Sequence, residues 1–224
     1  MIGAAAIAVV SFVLPARTPA ASADTEAVSV HADAIRTVVV QGVPGQLTIT
    51  GVRGSQVAMT GQLHWTGRSA AVAVPPRPAG HLLRLVYRCG ASSPCTANLR
   101  LTVPSRTAIV LHQPGGHVVL GGLAGALRIT ARNVDVQAAG LRSPALAASV
   151  TSGHLSVTFT RPPSHVGVTL RSAQATLRLP ATVSYRLSQQ VTSGYLRADI
   201  PQASSASRAI SARVDSGELE LLPR

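Results

Sequence analysis

Residues 150–157 read VTSGHLSV, residues 191–200 read VTSGYLRADI and residues 214–222 read VDSGELELL. The same phrase thus returns at intervals of about 20 residues, the mark of a repeat architecture. In the first copy Leu155, Val157 and Phe159 alternate with His154, Ser156 and Thr158, so one face of an extended strand is apolar and the other polar. Leu219 and Leu221 alternate with Glu218 and Glu220 in the same way. Ahead of each such strand stands a Ser-Gly pair. The glycine admits a positive φ that would strain most other residues, so the pair reads as a corner. The corner glycines are Gly116, Gly153, Gly194 and Gly217.

Weaker copies begin at Ile129 (ITARNVDV) and Leu170 (LRSAQATL), and PGGHVVL at residues 114–120 falls into the same register. Gly45 in VPGQLTITG looks like an isolated earlier copy. Aligned on the phrase, Arg132 and Ala173 replace the glycine, so those corners either bend differently or bear strain. The residue after the corner is then His117, Asn133, His154, Gln174, Tyr195 or Glu218, a polar ladder along one outer edge.

One such strand pair cannot bury its apolar face alone, whereas a stack of them closes a shared aliphatic core. The expected fold is all-β: a β-solenoid or two-sheet β-roll of roughly 20-residue rungs, with an irregular N-terminal β layer. The alternative is a β-sandwich in which TSG is a hairpin turn. Residues 24–34 are expected to be a linker, 35–103 the irregular region and 104–224 the repeat. The last strand, ending ELELLPR, is expected to blunt the terminal edge of the stack.

The chain is 224 residues long and 46% hydrophobic but only 3% aromatic, so its core is built from small aliphatic contacts. Net charge is +12 and every basic residue is Arg, which favours anionic partners. The arginines are scattered singly with no interleaved aromatics, so nothing marks a nucleic-acid platform. Residues 1–23 carry a short apolar run and an ASA site, as in a secretory signal or truncated membrane anchor, and a membrane contact is expected only through that segment if it stays uncleaved. Cys89 and Cys95, with no further ligands at metal spacing, read as a structural disulfide between two strands, in keeping with an oxidising compartment.

Little in the chain reads as chemistry. Only eight acidic residues exist, and those on strands alternate with apolar residues on outward faces rather than opposing one another across a cleft. There is no G-x-S-x-G elbow and no phosphate loop. His117 and His154, two rungs apart, stand nearly 10 Å from each other at the usual strand spacing, too wide for easy sharing of one metal ion. His112 could approach His117 across the QPGG turn. Trp65, the single tryptophan, reads as packing. No cofactor, metal site or catalytic residue is expected.

The three repeats, together with LTVPSRTAIVL ahead of the first rung (residues 101–111), resemble the bacterial adhesin-like β-strand-repeat family, a domain of unknown function common in actinobacterial envelope proteins. The resemblance covers about Ile35 to the C-terminus. It implies a solenoid-like fold and an extracytoplasmic location, secreted or anchored at the cell surface, and carries over no catalytic residues. The function expected is therefore non-enzymatic: a surface offered to anionic envelope polymers or to an envelope protein. Arg128, Arg178 and Arg197 are the outward cationic candidates, joined by His117, His154 and Tyr195. The alternatives are a sensor or structural module of an envelope-stress system and, behind it, a cryptic hydrolase.

Overall fold

The computed structural model describes residues 24–43, 45–65, 72–88 and 95–224. Residues 1–23, and with them the expected signal or anchor, lie outside this set, as does Cys89. No cysteine among the described residues is free, and the pairing of Cys95 with Cys89 stays an expectation.

The regular part of the chain writes one rung at a time. β8 (Ala108–Gln113) turns a corner into β9 (Gly116–Gly121), β10 (Leu127–Ala131) into β11 (Val134–Leu141), and β12 (Ala145–Val150) into β13 (Gly153–Phe159). In the following rung the strand runs unbroken through the corner, so β14 (His165–Leu179) supplies both halves. β8, β10, β12 and the first half of β14 pair in parallel to make sheet A. β9, β11, β13 and the second half of β14 make sheet B. Because β14 pairs on both sides of the corner, the strands join into one continuous all-β sheet folded on itself, with no helix among the described residues.

β12 pairs with β10 and β14, and β13 with β11 and β14. They do not pair with each other, so Thr151-Ser152 is a corner between sheets and not a hairpin turn. The alternation predicted from the sequence fills the interior. Leu146, Ala148 and Val150 from sheet A face Leu155, Val157 and Phe159 from sheet B, all buried. Each large side chain buried this way contributes about 1.5–3 kcal/mol. At one corner Gln113, buried, donates from Nε2 to the carbonyls of Val43 and Gly115, tying its own corner to that of the neighbouring rung.

The corners are of two kinds. At Gly116, Gly153 and Gly217 the chain turns with φ of 102°, 104° and 118°. In the rungs that lack this glycine the left-handed residue comes one position earlier, at Asn133 (φ 50°) and Ser172 (φ 52°). Those corners bend differently, and a small polar residue adopts the left-handed conformation that asparagine visits most readily. Gly194 has no such φ. What requires its glycine is proximity, since a Cβ there would lie 2.5 Å from the Gly217 carbonyl oxygen.

The register of one repeat differs from the expectation. Val134, and not Arg132, stands opposite Gly116 and Gly153, and Asp135, and not Asn133, stands opposite His117 and His154. The offset is two residues. Because strand side chains repeat every two residues, this shift leaves every apolar residue facing inward, and periodicity alone could not detect it.

Both ends of the stack depart from chain order. After β14 the chain lays down β15 (Arg186–Ala198), and β16 (Ala209–Pro223) then inserts between the two, parallel to both. The stretch ELELLPR is therefore an interior rung, and β15 is the edge. The physical reason lies in the inward residues. Those of β16 are Ile210, Ala212, Val214, Leu219 and Leu221, all buried, whereas β15 offers Gln189 among its inward positions and keeps Val191 40% exposed. The more apolar strand takes the interior. The returning segment is pinned by Arg208, whose Nη1 donates to the carbonyls of Pro162 (3.0 Å) and Pro163 (3.2 Å).

At the N-terminal end, β2 (Thr37–Gln41) and β3 (Gly45–Val52) form a full rung on β8 and β9, with Gly45 (φ 116°) at its corner. β6 (Leu82–Arg88) and β7 (Cys95–Pro104) add in parallel beyond it. Among the described residues only the outermost strands are antiparallel: β4 (Gln56–Trp65) on β7, β5 (Val72–Ala79) on β6, and β1 (Asp24–Asp33) on β4. The stretch expected as a linker thus contains a paired strand, and the sheet runs without a break past residue 104.

Candidate functional site

Among the described residues buried side chains close the interior, which leaves the outward faces for a site, and these differ in charge. Sheet A continues through β2 and β6 at one end and through the first halves of β16 and β15 at the other, and its outward positions carry Arg84, Arg128, Arg186 and Arg213 with His112 and His165. No Asp or Glu occurs on the segments of these strands that lie in sheet A. All eight acids lie on β1 (Asp24, Glu26, Asp33), on or just after sheet B strands (Asp135, Asp199, Glu218, Glu220) or at a corner (Asp215).

In-register stacking turns these residues into rows. One row crosses sheet A as Arg128, Ala147, Gly167, Ser211 and Ser188, and the next as Thr130, Ser149, Thr169, Arg213 and Gln190. Small side chains in the middle of both rows leave a shallow groove of about 690 Å³, with Arg128 toward one end and Arg213 toward the other. Arg128 is exposed and makes no hydrogen bond or ion pair among the described residues. Arg213 is held in place: Nε donates to Asp215 Oδ1 at 2.9 Å and Nη1 to Gln190 Oε1 at 3.1 Å. Asp215 also pairs with Arg171 at 3.4 Å, so one carboxylate is shared by two guanidinium groups and the local charge remains positive.

The other predicted contacts lie on sheet B. Arg178 and Arg197 both point outward there. Arg197 is engaged, with Nη2 2.6 Å from Asp199 Oδ2; that hydrogen bond, with the charge of Asp199, raises its pKa further. Tyr195, 55% exposed, stands on the edge strand beside Glu218. His117, Asp135 and His154 follow one another across three rungs, and His154 Nδ1 lies 3.1 Å from Asp135 Oδ1. Among the described residues no three such side chains converge to hold a metal ion. His112 and His117 stand on different sheets, either side of the corner, and Trp65 packs half-buried against the core.

The structure therefore brings Arg128 together with Arg213, Ser149, Thr169 and Gln190, none of which the sequence reading singled out, and leaves Arg178 and Arg197 on a different face. One signal was available in the sequence. The chain has no acid between Asp33 and Asp135, nor between Asp135 and Asp199.

No family model matches the chain, and no curated protein matches it. Among solved structures the chain is similar to a "putative cell adhesion protein" from Clostridium sporogenes, at 11% identity and a TM-score of 0.50, covering 91% of this chain and 100% of that one. A "putative adhesin" from Parabacteroides distasonis aligns over 90% of this chain and 98% of that one, at 9% identity and a TM-score of 0.31, too distant to argue from. The resemblance read from the repeats is thus met at the level of architecture, and what the chain shares with the first of these structures is its fold.

Proposed function

We propose that the protein is a non-enzymatic, adhesin-like module that works outside the cytoplasm, secreted or anchored at the cell surface, and uses the outer face of sheet A to hold anionic polymers of the envelope. The observation that carries this reading is the segregation of charge: sheet A bears arginines and no carboxylates, while the acids gather on sheet B, β1 and one corner. A flat face of spaced guanidinium groups gains affinity by adding several individually weak charge-assisted contacts along a repeating polymer. Shared fold with a protein named for cell adhesion supports the adhesin-like part. The repeats' resemblance to the bacterial adhesin-like β-strand-repeat family supports the location. Titration with purified anionic wall polymer at rising salt tests the proposal. Affinity is expected to fall steeply as salt screens the charges; absent or salt-insensitive binding rejects it.

A further inference from the structure

We infer that the groove over β10, β12, β14, β16 and β15 is a binding site for a linear acidic oligosaccharide, one whose anionic groups are separated by neutral sugars. The inference rests on the reading of sheet A as a polyanion-binding face, and adds where the ligand lies and what its chemistry is.

Three features of the groove select that ligand. The first is the spacing of charge. Arg128 and Arg213 lie three rungs and two residues apart, so their Cα atoms are separated by about 16 Å at ordinary strand geometry. Among the described residues no other cation lines the groove between them. A densely charged chain such as polyphosphate or a nucleic acid would lay several unneutralised charges over that middle stretch. A glycan with sparse charges places one group at each end and neutral units between.

The second is the floor. Thr130, Ser149, Thr169 and Ser211 present a field of hydroxyls, each both donor and acceptor, matched to the hydroxyls of a sugar. Ala147 and Gly167 keep the floor low enough for a ring to sit between the two guanidinium groups. Among the described residues no aromatic side chain lines the groove, so they offer no platform on which nucleobases could stack.

The third is preorganisation at one end. Asp215 and Gln190 fix Arg213 through Nε and Nη1, which leaves Nη2 without a partner among the described residues. An anion meeting that group finds it already oriented, which lowers the ordering cost of binding.

The test uses the full chain at low salt with three probes: a hyaluronan decasaccharide, its carboxyl-reduced neutral form, and polyphosphate of similar length. The inference expects the hyaluronan probe to bind more tightly than either of the others. Arg128→Gln and Arg213→Gln are each expected to weaken it about tenfold, the loss typical of a charge-assisted hydrogen bond. Arg178→Gln, on the opposite sheet, is expected to leave it unchanged. Ala147→Tyr, which fills the floor without altering charge, is expected to weaken the glycan probe as well. Equal binding by the two groove variants and the wild type, or tighter binding of polyphosphate, overturns the groove while leaving a polyanion-binding face intact. Failure of the wild type to bind any anionic probe overturns both.

Discussion

A β-carbon added to Gly153 would lie 2.3 Å from the carbonyl oxygen of Val134 in the adjoining rung. The glycine is required twice, by that approach and by its own φ of 104°, because the two rungs stack in register at the corner. Gly153→Ala is therefore expected to lower the unfolding free energy by at least about 1–3 kcal/mol, read by urea denaturation. Asn133→Gly, at the other kind of corner, is expected to change it by less than about 1 kcal/mol, since glycine relieves the left-handed φ while adding chain entropy.

The insertion of β16 inside β15 sets a second expectation. Leu219 is fully buried between its neighbours, whereas Leu196, in the same row on β15, is only partly covered. Leu219→Ala is expected to cost about 2–5 kcal/mol and Leu196→Ala less than half as much. If the rungs followed chain order, the two effects would be reversed.

Tyr87 gives a pH dependence. Burial holds its phenol neutral well above the ordinary tyrosine range, and the hydroxyl lies 3.1 Å from Met59 Sδ as donor. Below about pH 10, the ionisation of a tyrosine in the unfolded chain, both states keep the proton and the contribution is constant. Above it the unfolded chain releases the proton and the native protein does not, so stability falls as pH rises. Denaturation midpoints taken from neutral to alkaline pH should show this decline, and Tyr87→Phe should make it shallower.

Among the described residues Asp215 is the only acid near the groove, and it holds two arginines. Exposed pairs of this kind are worth about 0–1 kcal/mol. Asp215→Asn should thus barely move the denaturation midpoint, while the added positive charge increases the salt-dependent part of the affinity for an anionic wall polymer, measured as the slope of log affinity against log salt.

Much of this architecture could be read from Val150 to Leu222. The alternation of Leu155, Val157 and Phe159 with polar neighbours gave the inward face, and Ser152-Gly153 marked the corner. Two matters were hidden for definite reasons. The register of Ile129–Val136 was missed because a slip of two residues preserves every facing. The place of β16 was missed because rungs of a repeat are expected in chain order, and only the comparison of inward residues, with Gln189 on β15 against Ala212 on β16, reveals which strand belongs inside. The groove was less legible still, since Arg128 and Arg213 lie 85 positions apart in the chain and come to line one groove only through stacking.

Thr176, Glu220 and Arg197 form one outward row in which Glu220 lies between the other two. Mapping the disulfides formed by Thr176→Cys paired with Glu220→Cys, and by Thr176→Cys paired with Arg197→Cys, probes the stack directly, because a bridge needs Cα atoms within about 7 Å. Adjacent rungs meet that limit and alternate rungs do not. The in-register stack with β16 inserted predicts a bridge between residues 176 and 220 and none between 176 and 197. A bridge between 176 and 197 with none between 176 and 220 would contradict it.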